Sequence, residues 1–446
     1  MSRREVLRAF EEQHEWMNER VNSGIEHYRK GDMTLKFVNA RFEPVENVHV
    51  EIEQVDHDFN FGANLFMLDE FDTPEMNAHY RKQFAHLFNA ATLPFYWSDL
   101  EPEQGKPRFT PDSPKVYRRP APDLCLEYCD ANRIRPKAHC LNYDQWTPLW
   151  VPQEVRAVKR LLDKRMRELA ERYRDRIYGW EVTNELLCGH YARLHENRTS
   201  SPFFLEPDVQ EWSFQTARRH FPNNELIVNE AAGIWNFQYN RSPYYMEIER
   251  SMRNGAPIDA IGFQFHMFTR KENEPQAVEY RYNPQYVCQV LDQYSDFRKP
   301  MQITEVTIPA YSTDPEDEAI QAELAKNLYS LWFSCPDMES IIYWNTIDGY
   351  AAFAPKGDMT AGENYYHGAL MRYDGSLKPI YHTLDELIHK TWHTHADCSC
   401  VNGETTVRAF YGTYDLKITV NGRMTTQTVH FAKDGEGVIR VMLNLD

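Results

Sequence analysis

Two glutamates stand at the ends of short apolar segments, where their carboxylates could do acid–base or nucleophilic chemistry. Glu185 closes the segment Trp180-Glu-Val-Thr-Asn-Glu185, and Glu305 closes Met301-Gln-Ile-Thr-Glu305. Burying a carboxylate within a strand costs free energy, whereas the end of a strand can place it in a cleft. Paired carboxylates can cleave glycosidic bonds, one as an acid and the other as a base or nucleophile. The residues alone do not say which carboxylate has which role.

Other predicted strand ends also carry polar or large aromatic side chains. Because the carboxyl ends of parallel strands meet at one rim of a barrel, we expect these side chains to surround the two glutamates. A barrel built only for stability would not need them there. In chain order they are Tyr96, Trp97, His139, Tyr143, Asp144, Asn184, Asn229, Glu230, Gln264, His266, Trp344 and Asn345.

The elements that must position these residues alternate between short apolar strands and amphipathic helices. Eight such units predict an α/β fold, a closed (β/α)8 TIM barrel over residues 58–392. The predicted strands are 59–64, 88–96, 134–141, 177–183, 225–230, 260–266, 301–306 and 340–346. The predicted helices are 74–87, 121–132, 153–173, 207–220, 239–254, 283–297, 316–333 and 380–391.

The two ends of the chain have a different pattern. Residues 1–57 predict an amphipathic helix over 2–30, then a β-hairpin from segments 33–38 and 48–53. In residues 393–446, four segments alternate with the strand period, with Asn421-Gly422 and Asp434-Gly435 as turns. Each set alone would leave an apolar face uncovered, so we expect the two ends to form one small accessory β-sandwich.

Composition limits the partners. The formal net charge of −17 disfavours nucleic acid and acidic membrane surfaces. The N-terminus lacks the apolar core of a signal peptide, and no apolar run is long enough to span a membrane. The eight cysteines have no disulfide-type spacing. We therefore expect a cytoplasmic protein, or a secreted one if a leader has been removed. The oligomeric state stays open.

Five segments occur in the order of a known enzyme family. They are Phe88-Asn89…Trp97…Glu101-Pro-Glu-Gln-Gly105, His139…Gln145-Trp-Thr-Pro-Leu-Trp-Val151, Trp180 to Glu185, Gly255 to His266, and Ile303-Thr-Glu305. Over roughly residues 58–390 the chain resembles glycoside hydrolase family 10, the xylanase family. The resemblance implies a retaining β-glycosidase with Glu185 as acid/base and Glu305 as nucleophile. We expect Glu185 to hold its proton near neutral pH and Glu305 to be ionised.

The resemblance also implies sugar-binding residues. Asn184 matches the family residue that binds the sugar 2-hydroxyl, and His139 and Trp344 match residues that face the sugar at the cleavage site. His266 is expected to hold the Glu305 carboxylate, with Gln264 beside it. For the histidines and the tryptophan, ordinary structural roles are the alternative.

The chain departs from the family where xylanases grip xylose units. Tyr96 stands at the position of a sugar-binding Lys, and Tyr143-Asp144 replaces a Trp-His pair. Ala352 replaces a second Trp, and Thr307 replaces an Asp. A site that loses its polar partners for one sugar rejects that sugar, so we expect poor activity on ordinary xylan. Long loops at 98–120, 186–206 and 347–379 could wall a groove into a pocket, which favours exo-action or small glycosides.

Two alternatives stay open at the level of sequence. One is a catalytically weak or inactive barrel that binds carbohydrate without cleaving it. The other concerns metal: the set His393, His395, Cys398 and Cys400 could hold zinc, but its spacings are tighter than those of structural sites, so we expect a linker there. Three more carboxylates fall near the rim, at Asp144, Glu230 and Asp348. The sequence does not show whether their spacing could hold a metal. The proposed reaction needs no metal or other cofactor.

Overall fold

The computed structural model describes residues 3–188, 198–235 and 241–444. In these residues the strands, in chain order, are β1 (Lys30–Val38), β2 (Val48–His57), β3 (Asn60–Asn64), β4 (Ala90–Pro94), β5 (Arg135–Asn142), β6 (Thr147–Pro148), β7 (Gly179–Asn184), β8 (Arg198–Thr199), β9 (Glu225–Glu230), β10 (Ala260–His266), β11 (Met301–Thr307), β12 (Met338–Tyr343), β13 (His395–Ser399), β14 (Glu404–Phe410), β15 (Gly412–Val420), β16 (Arg423–Phe431) and β17 (Val438–Met442).

The helices of the described chain flank these strands. They are α1 (Arg8–Glu12), α2 (His14–Tyr28), α3 (Pro74–Leu87), α4 (Trp97–Leu100), α5 (Pro122–Asn132), α6 (Val155–Tyr173), α7 (Val209–His220), α8 (Pro243–Arg253), α9 (Pro284–Tyr294), α10 (Pro315–Ser334) and α11 (Pro379–Glu386). In α6, apolar residues three and four positions apart are buried along one face, and the Glu154 side chain caps the first turn. None of these helices is both long and apolar enough to cross a membrane.

Eight strands of the described chain close into a parallel barrel, which confirms the predicted TIM barrel. Their order around it is β3, β4, β5, β7, β9, β10, β11, β12. Each predicted barrel strand overlaps an observed one. The second is shorter than predicted, since it ends at Pro94 and the short helix α4 begins at Trp97. The parallel strands bring Glu185 and Glu305 to the same rim.

The strands from the two chain ends form two further sheets. One has the order β14-β1-β17 and the other β13-β2-β15-β16, and the inward residues of both share one apolar core. The predicted hairpin is therefore wrong, because β1 and β2 lie in different sheets and the chain between them crosses from one sheet to the other. Strand alternation in sequence indicates which face is buried but not which strand is the neighbour.

The N-terminal helical segment packs on the barrel. Val6, Phe10, Met17 and Val21 of the predicted stripe are buried in the barrel's apolar core, whereas His14 is exposed. A Cβ at Gly24 would lie 2.4 Å from the Ser334 carbonyl oxygen, so this glycine permits the close approach of α2 to α10.

Candidate active site

A cavity of about 360 Å³ opens at the carboxyl ends of the barrel strands. Both Glu185 and Glu305 line it, together with polar side chains from the neighbouring strand ends. The loops after β4 and β12 contribute further parts of its wall, as do the loops after β5, β9 and β10. The structure thus brings together Tyr96, His139, Tyr143, Glu185, Gln264, His266, Glu305 and Trp344 of the predicted set.

Glu185 follows the end of β7, where its backbone adopts a left-handed conformation with φ of 54°. Its Oε2 accepts hydrogen bonds from the Tyr143 hydroxyl at 2.6 Å and from Gln145 Nε2 at 3.3 Å. Its Oε1 accepts from Gln264 Nε2 at 3.1 Å. Neutral donors on both oxygens hold the carboxylate in one orientation over the cavity without pairing it with a cation.

Glu305 lies deeper, in β11, and is buried. His266 Nε2 lies 2.9 Å from its Oε2, and Asn229 Nδ2 donates to Oε1 at 3.1 Å. Burial lowers the pKa of His266 to about 4, so the ring is neutral. Its Nδ1 lies 3.1 Å from the hydroxyl of Thr307, the residue that replaces the family Asp.

The surroundings of Glu305 oppose the ionised form that is predicted from the sequence. Burial, together with the nearby Glu181 and Glu185 carboxylates, raises the pKa of Glu305 well above its usual range, although His139 acts to lower it. The sequence and the resemblance place only His266 and Gln264 beside Glu305. They do not show its burial or its distance from the third carboxylate, Glu181.

Two amide side chains join the carboxylates. Gln264 Nε2 donates to Asn184 Oδ1 at 3.1 Å as well as to Glu185, and Asn229 Nδ2 donates to Asn184 Oδ1 at 2.8 Å as well as to Glu305. The Asn184 oxygen is therefore occupied by protein donors. Its Nδ2 is buried and has no partner among the described residues, so it is a spare donor beside both carboxylates.

A buried ion pair lies beneath Glu305. Lys137 Nζ is 2.6 Å from Glu181 Oε1, and His139 Nδ1 makes a short contact with Glu181 Oε2. Burial opposes a charged His139, but the Glu181 carboxylate outweighs it and raises the pKa of His139. His139 Nδ1 is 3.8 Å from Glu305 Oε1. The Glu181 carboxylate thus favours the cationic form of the His139 imidazole next to Glu305, against the effects of burial and of Lys137.

Aromatic rings form the wall opposite the carboxylates. Trp344, Tyr96 and Phe66 are buried in one cluster, with the Trp344 ring 5.5 Å from that of His139. The Arg119 guanidinium stacks on Tyr96 at 4.0 Å and pairs with Asp99 at 2.8 Å. Tyr96, which the resemblance places at the position of a sugar-binding Lys, is therefore stacked against other protein groups.

The structure does not bring Trp97 and Asp144 to the cavity. Trp97 starts helix α4, turns away from the rim into a separate apolar cluster, and donates from Nε1 to Glu101 at 3.0 Å. Asp144 is buried, and its Oδ1 accepts from the Ser201 backbone N–H at 3.0 Å. Both residues support loops around the site rather than its wall.

The sequence profile of glycosyl hydrolase family 10 matches residues 55–367 of the chain. The chain belongs to this family. Its barrel is the xylanase-like fold of family 10, and a retaining mechanism is general to that family. The family matched by sequence profile is thus the one that the residues around Glu185 and Glu305 resemble.

Individual relatives are distant. Anti-sigma-I factor RsgI6 of Acetivibrio thermocellus is 23% identical over 416 residues, which is 92% of this chain and 47% of that protein. Endo-1,4-beta-xylanase 1 of Arabidopsis thaliana is 23% identical over 325 residues, or 71% of this chain and 30% of that protein. The chain therefore spans less than half the length of these two relatives. Xylanase 10B from Thermotoga petrophila RKU-1, solved with xylobiose, has a TM-score of 0.58 at 19% identity over 75% of this chain and 95% of its own.

Sequence reasoning missed several residues of this family 10 site. Lys137 and Glu181 had a signal, since each places a charge at an inward position of an otherwise apolar barrel strand. Gln145 had a weaker one, because it falls in a family-matching segment. Arg118 and Arg119 had none: they come from a long loop whose path depends on contacts far along the chain.

Neither candidate metal set behaves as a binding site on the contacts observed. Within the described residues, ligand atoms converge at His139, Glu181 and Glu305, which lie within 4.8 Å of one another, but Lys137 already neutralises Glu181. The segment from His393 to Cys400 contains strand β13, so the predicted linker is wrong there. His393 and His395 both contact Glu53, at 2.8 and 2.6 Å, instead of converging with the cysteines.

Proposed function

We propose that this chain is a retaining β-glycosidase that acts by a double displacement. Glu185 gives its proton to the leaving oxygen while a Glu305 oxygen attacks the anomeric carbon, so the glycosidic bond breaks as a glycosyl ester forms. Water then attacks the same carbon, Glu185 takes its proton, and the ester breaks. The observation that carries the proposal is that both carboxylates reach one cavity, each with its own set of hydrogen-bond donors.

The neighbours of the two carboxylates support separate roles. Neutral donors surround Glu185, which suits a group that must gain and lose a proton. Glu305 has His266 at 2.9 Å and His139 at 3.8 Å, and the Glu181 carboxylate favours a cationic His139, which stabilises the ionised form of Glu305. The spare Asn184 Nδ2 can donate to a sugar hydroxyl next to Glu305, a contact that strengthens in the transition state.

The raised pKa of Glu305 gives the acid limb of the pH profile a definite sign. Attack requires the ionised carboxylate, and burial favours the protonated one. We expect kcat/KM to fall as pH falls through the pKa of Glu305, at a higher pH than for an ordinary carboxyl.

The substrate we propose is a small β-glycoside or the end of an oligosaccharide, because the loops after β4 and β12 are joined beside the cavity. Arg118 donates to the Tyr350 carbonyl oxygen and, at 3.3 Å, to Asn345 Oδ1. Asn345 Nδ2 in turn donates to Glu363 at 2.9 Å. These contacts form a loop bridge on the side of the cavity where the resemblance places binding sites for successive sugars. The loop bridge therefore favours a pocket over an open groove.

A carbohydrate-binding barrel without turnover is the second candidate. It is favoured by the burial of Glu305 near the Glu181 and Glu185 carboxylates, which raises the pKa of Glu305, since a protonated carboxyl is not a nucleophile.

A panel of aryl β-glycosides (xyloside, glucoside, galactoside, arabinoside and fucoside) distinguishes the two. We expect turnover of at least one, release of the β-anomer first, and loss of turnover in Glu305→Ala but not in Glu339→Gln, a partly buried carboxyl at the other end of the barrel. Sugar binding without turnover would favour the second candidate. Release of internal fragments from a long polymer would contradict the pocket.

A further inference from the structure

Glu230, the last residue of β9, has a buried carboxylate that accepts hydrogen bonds from two adjacent turns. Its Oε2 accepts from the Leu187 backbone N–H at 2.8 Å. Its Oε1 accepts from the backbone N–H groups of Ala231 and Ala232 at 2.8 and 2.9 Å and from the Cys188 thiol at 3.2 Å. These four contacts, the Glu230 tether, leave neither oxygen free for the cavity.

The tether holds the turn that carries the acid. Glu185 has a positive φ of 54°, a conformation that non-glycine residues adopt at a cost and keep only when their surroundings enforce it. Its own N–H donates to the Asn229 carbonyl oxygen at 3.1 Å, and its carbonyl oxygen accepts from the Cys188 N–H at 3.2 Å. Leu187 lies between these points, so its bond to Glu230 fixes the turn to β9.

The geometry points to Glu230 as a positioning residue for the acid/base Glu185, an inference that rests on the proposed double displacement. Glu230 does not line the cavity, whereas Ala231, which it also holds, does. By fixing Leu187 it keeps the Glu185 carboxyl within reach of the leaving oxygen. The role is specific to proton transfer and separate from nucleophilic attack by Glu305.

The four hydrogen bonds of the tether depend on the ionisation of Glu230. Burial raises the pKa of Glu230 to about 7, against the lowering effect of the Ala232 and Leu187 N–H groups and the Cys188 thiol, while Glu185 acts to raise it. The Glu230 charge in turn acts to raise the pKa of Tyr244 in α8 and of Tyr294 in α9. An ionised carboxylate satisfies all four donors, whereas its protonated form brings a fifth hydrogen into the same space.

The test compares leaving groups in the variant Glu230→Gln. Its single oxygen can serve the Leu187 side or the Ala231 side but not both, so the tether is halved. A phenyl glycoside needs the proton from Glu185, whereas a 2,4-dinitrophenyl glycoside leaves without it. We expect kcat/KM to fall about tenfold or more for the phenyl glycoside and less than about threefold for the dinitrophenyl glycoside. Glu339→Gln, the same substitution at a partly buried carboxyl away from the cavity, is expected to change neither.

Equal losses for both substrates, or no loss, would overturn the positioning role. If Glu230→Gln does not fold, Glu230→Asp is tested instead, because it keeps the charge but shortens the side chain. The losses of kcat/KM for the phenyl and dinitrophenyl glycosides are then compared in the same way. A wild-type protein that turns over neither substrate would instead refute the proposed function, and the positioning role with it.

Discussion

The barrel has a pair of carboxyl groups at each end, and the two pairs differ in their hydrogen-bond donors. At the carboxyl end, Glu185 and Glu305 have separate donors: Tyr143, Gln145 and Gln264 for the first, His266 and Asn229 for the second. At the amino end, Glu225 and Glu339 share one donor, the Gln302 amide, at 2.8 and 2.7 Å. The rim pair also faces the 360 Å³ cavity.

The amino-end pair shows what burial alone does to two adjacent carboxyls. Burial, and then the neighbouring Glu339, raise the pKa of Glu225 to about 9, so the pair keeps a proton at neutral pH. The rim pair instead has distinct surroundings for its two members, which is what an acid and a nucleophile require. What indicates function is therefore that the two rim carboxyls have different hydrogen-bond partners. A short distance between two carboxyls is not enough, because the amino-end pair has that too.

The largest expected effect separates the two pairs directly. Glu305→Ala removes the nucleophile, so we expect kcat on an aryl glycoside to fall about 10⁴-fold or more. Glu339→Gln replaces a carboxyl with an amide of the same size outside the cavity and should leave kcat within about threefold of the wild type. Similar losses in both variants would mean that the rim pair is no more catalytic than the amino-end pair.

A smaller loss is expected for the acid. Glu185→Gln keeps the shape of the side chain but cannot donate a proton, so kcat/KM for a phenyl glycoside should fall about 10²- to 10⁴-fold. The loss should be much smaller for a dinitrophenyl glycoside, which needs no proton. Steady-state kinetics on the two substrates provide the check. Equal sensitivity of both would show that Glu185 is not the acid.

Opening the loop bridge should alter products more than rate. Arg118→Ala removes the contacts to Tyr350 and Asn345, and we expect about a tenfold lower kcat/KM on a small glycoside. Fragments longer than one sugar should appear from an oligosaccharide, as measured by chromatography. Arg372→Ala, in the loop after β12 but paired with Glu318, is the control and should keep the product pattern. An unchanged pattern in Arg118→Ala would contradict the pocket.

The smallest effect concerns stability and belongs to the amino-end pair. Folded Glu225 has its pKa raised to about 9, so between its ordinary pKa and pH 9 the folded state binds more protons than the unfolded state. The contribution of Glu225 to the free energy of unfolding is therefore highest at low pH. It falls as pH rises towards 9, by at most about 1.4 kcal/mol per pH unit. Glu225→Gln should flatten this dependence in chemical unfolding between pH 5 and 9. An unchanged slope would show that Glu225 does not titrate in this range.

Much of the rim could be predicted because strand ends in a barrel converge. Glu305, Gln264 and His266 follow apolar segments of strand length, and the barrel order then brings them together. The same reasoning failed for Trp97, because the chain turns into helix α4 within three residues of the end of β4. Tyr96 and Trp97 are adjacent in sequence but lie in different clusters.

Features set by distant contacts could not be predicted. Arg118 reaches the cavity wall only because its guanidinium binds Tyr350 and Asn345, more than 220 residues away along the chain. The ionisation of Glu305 depends on its depth and on its distance from Glu181, neither of which follows from the sequence pattern. For β1 and β2, the apolar alternation correctly indicated a buried face but not that the two strands belong to opposite sheets of one sandwich.

The most direct test of the central claim is to trap the covalent intermediate. The protein would be incubated with a 2-deoxy-2-fluoro glycoside carrying an activated leaving group, using the sugar that the aryl panel identifies. Intact mass spectrometry and peptide mapping would then locate any adduct. The double displacement predicts one added fluoroglycosyl group, attached to Glu305 and absent in Glu305→Ala. An adduct on another residue, or none while the parent glycoside is hydrolysed, would contradict it.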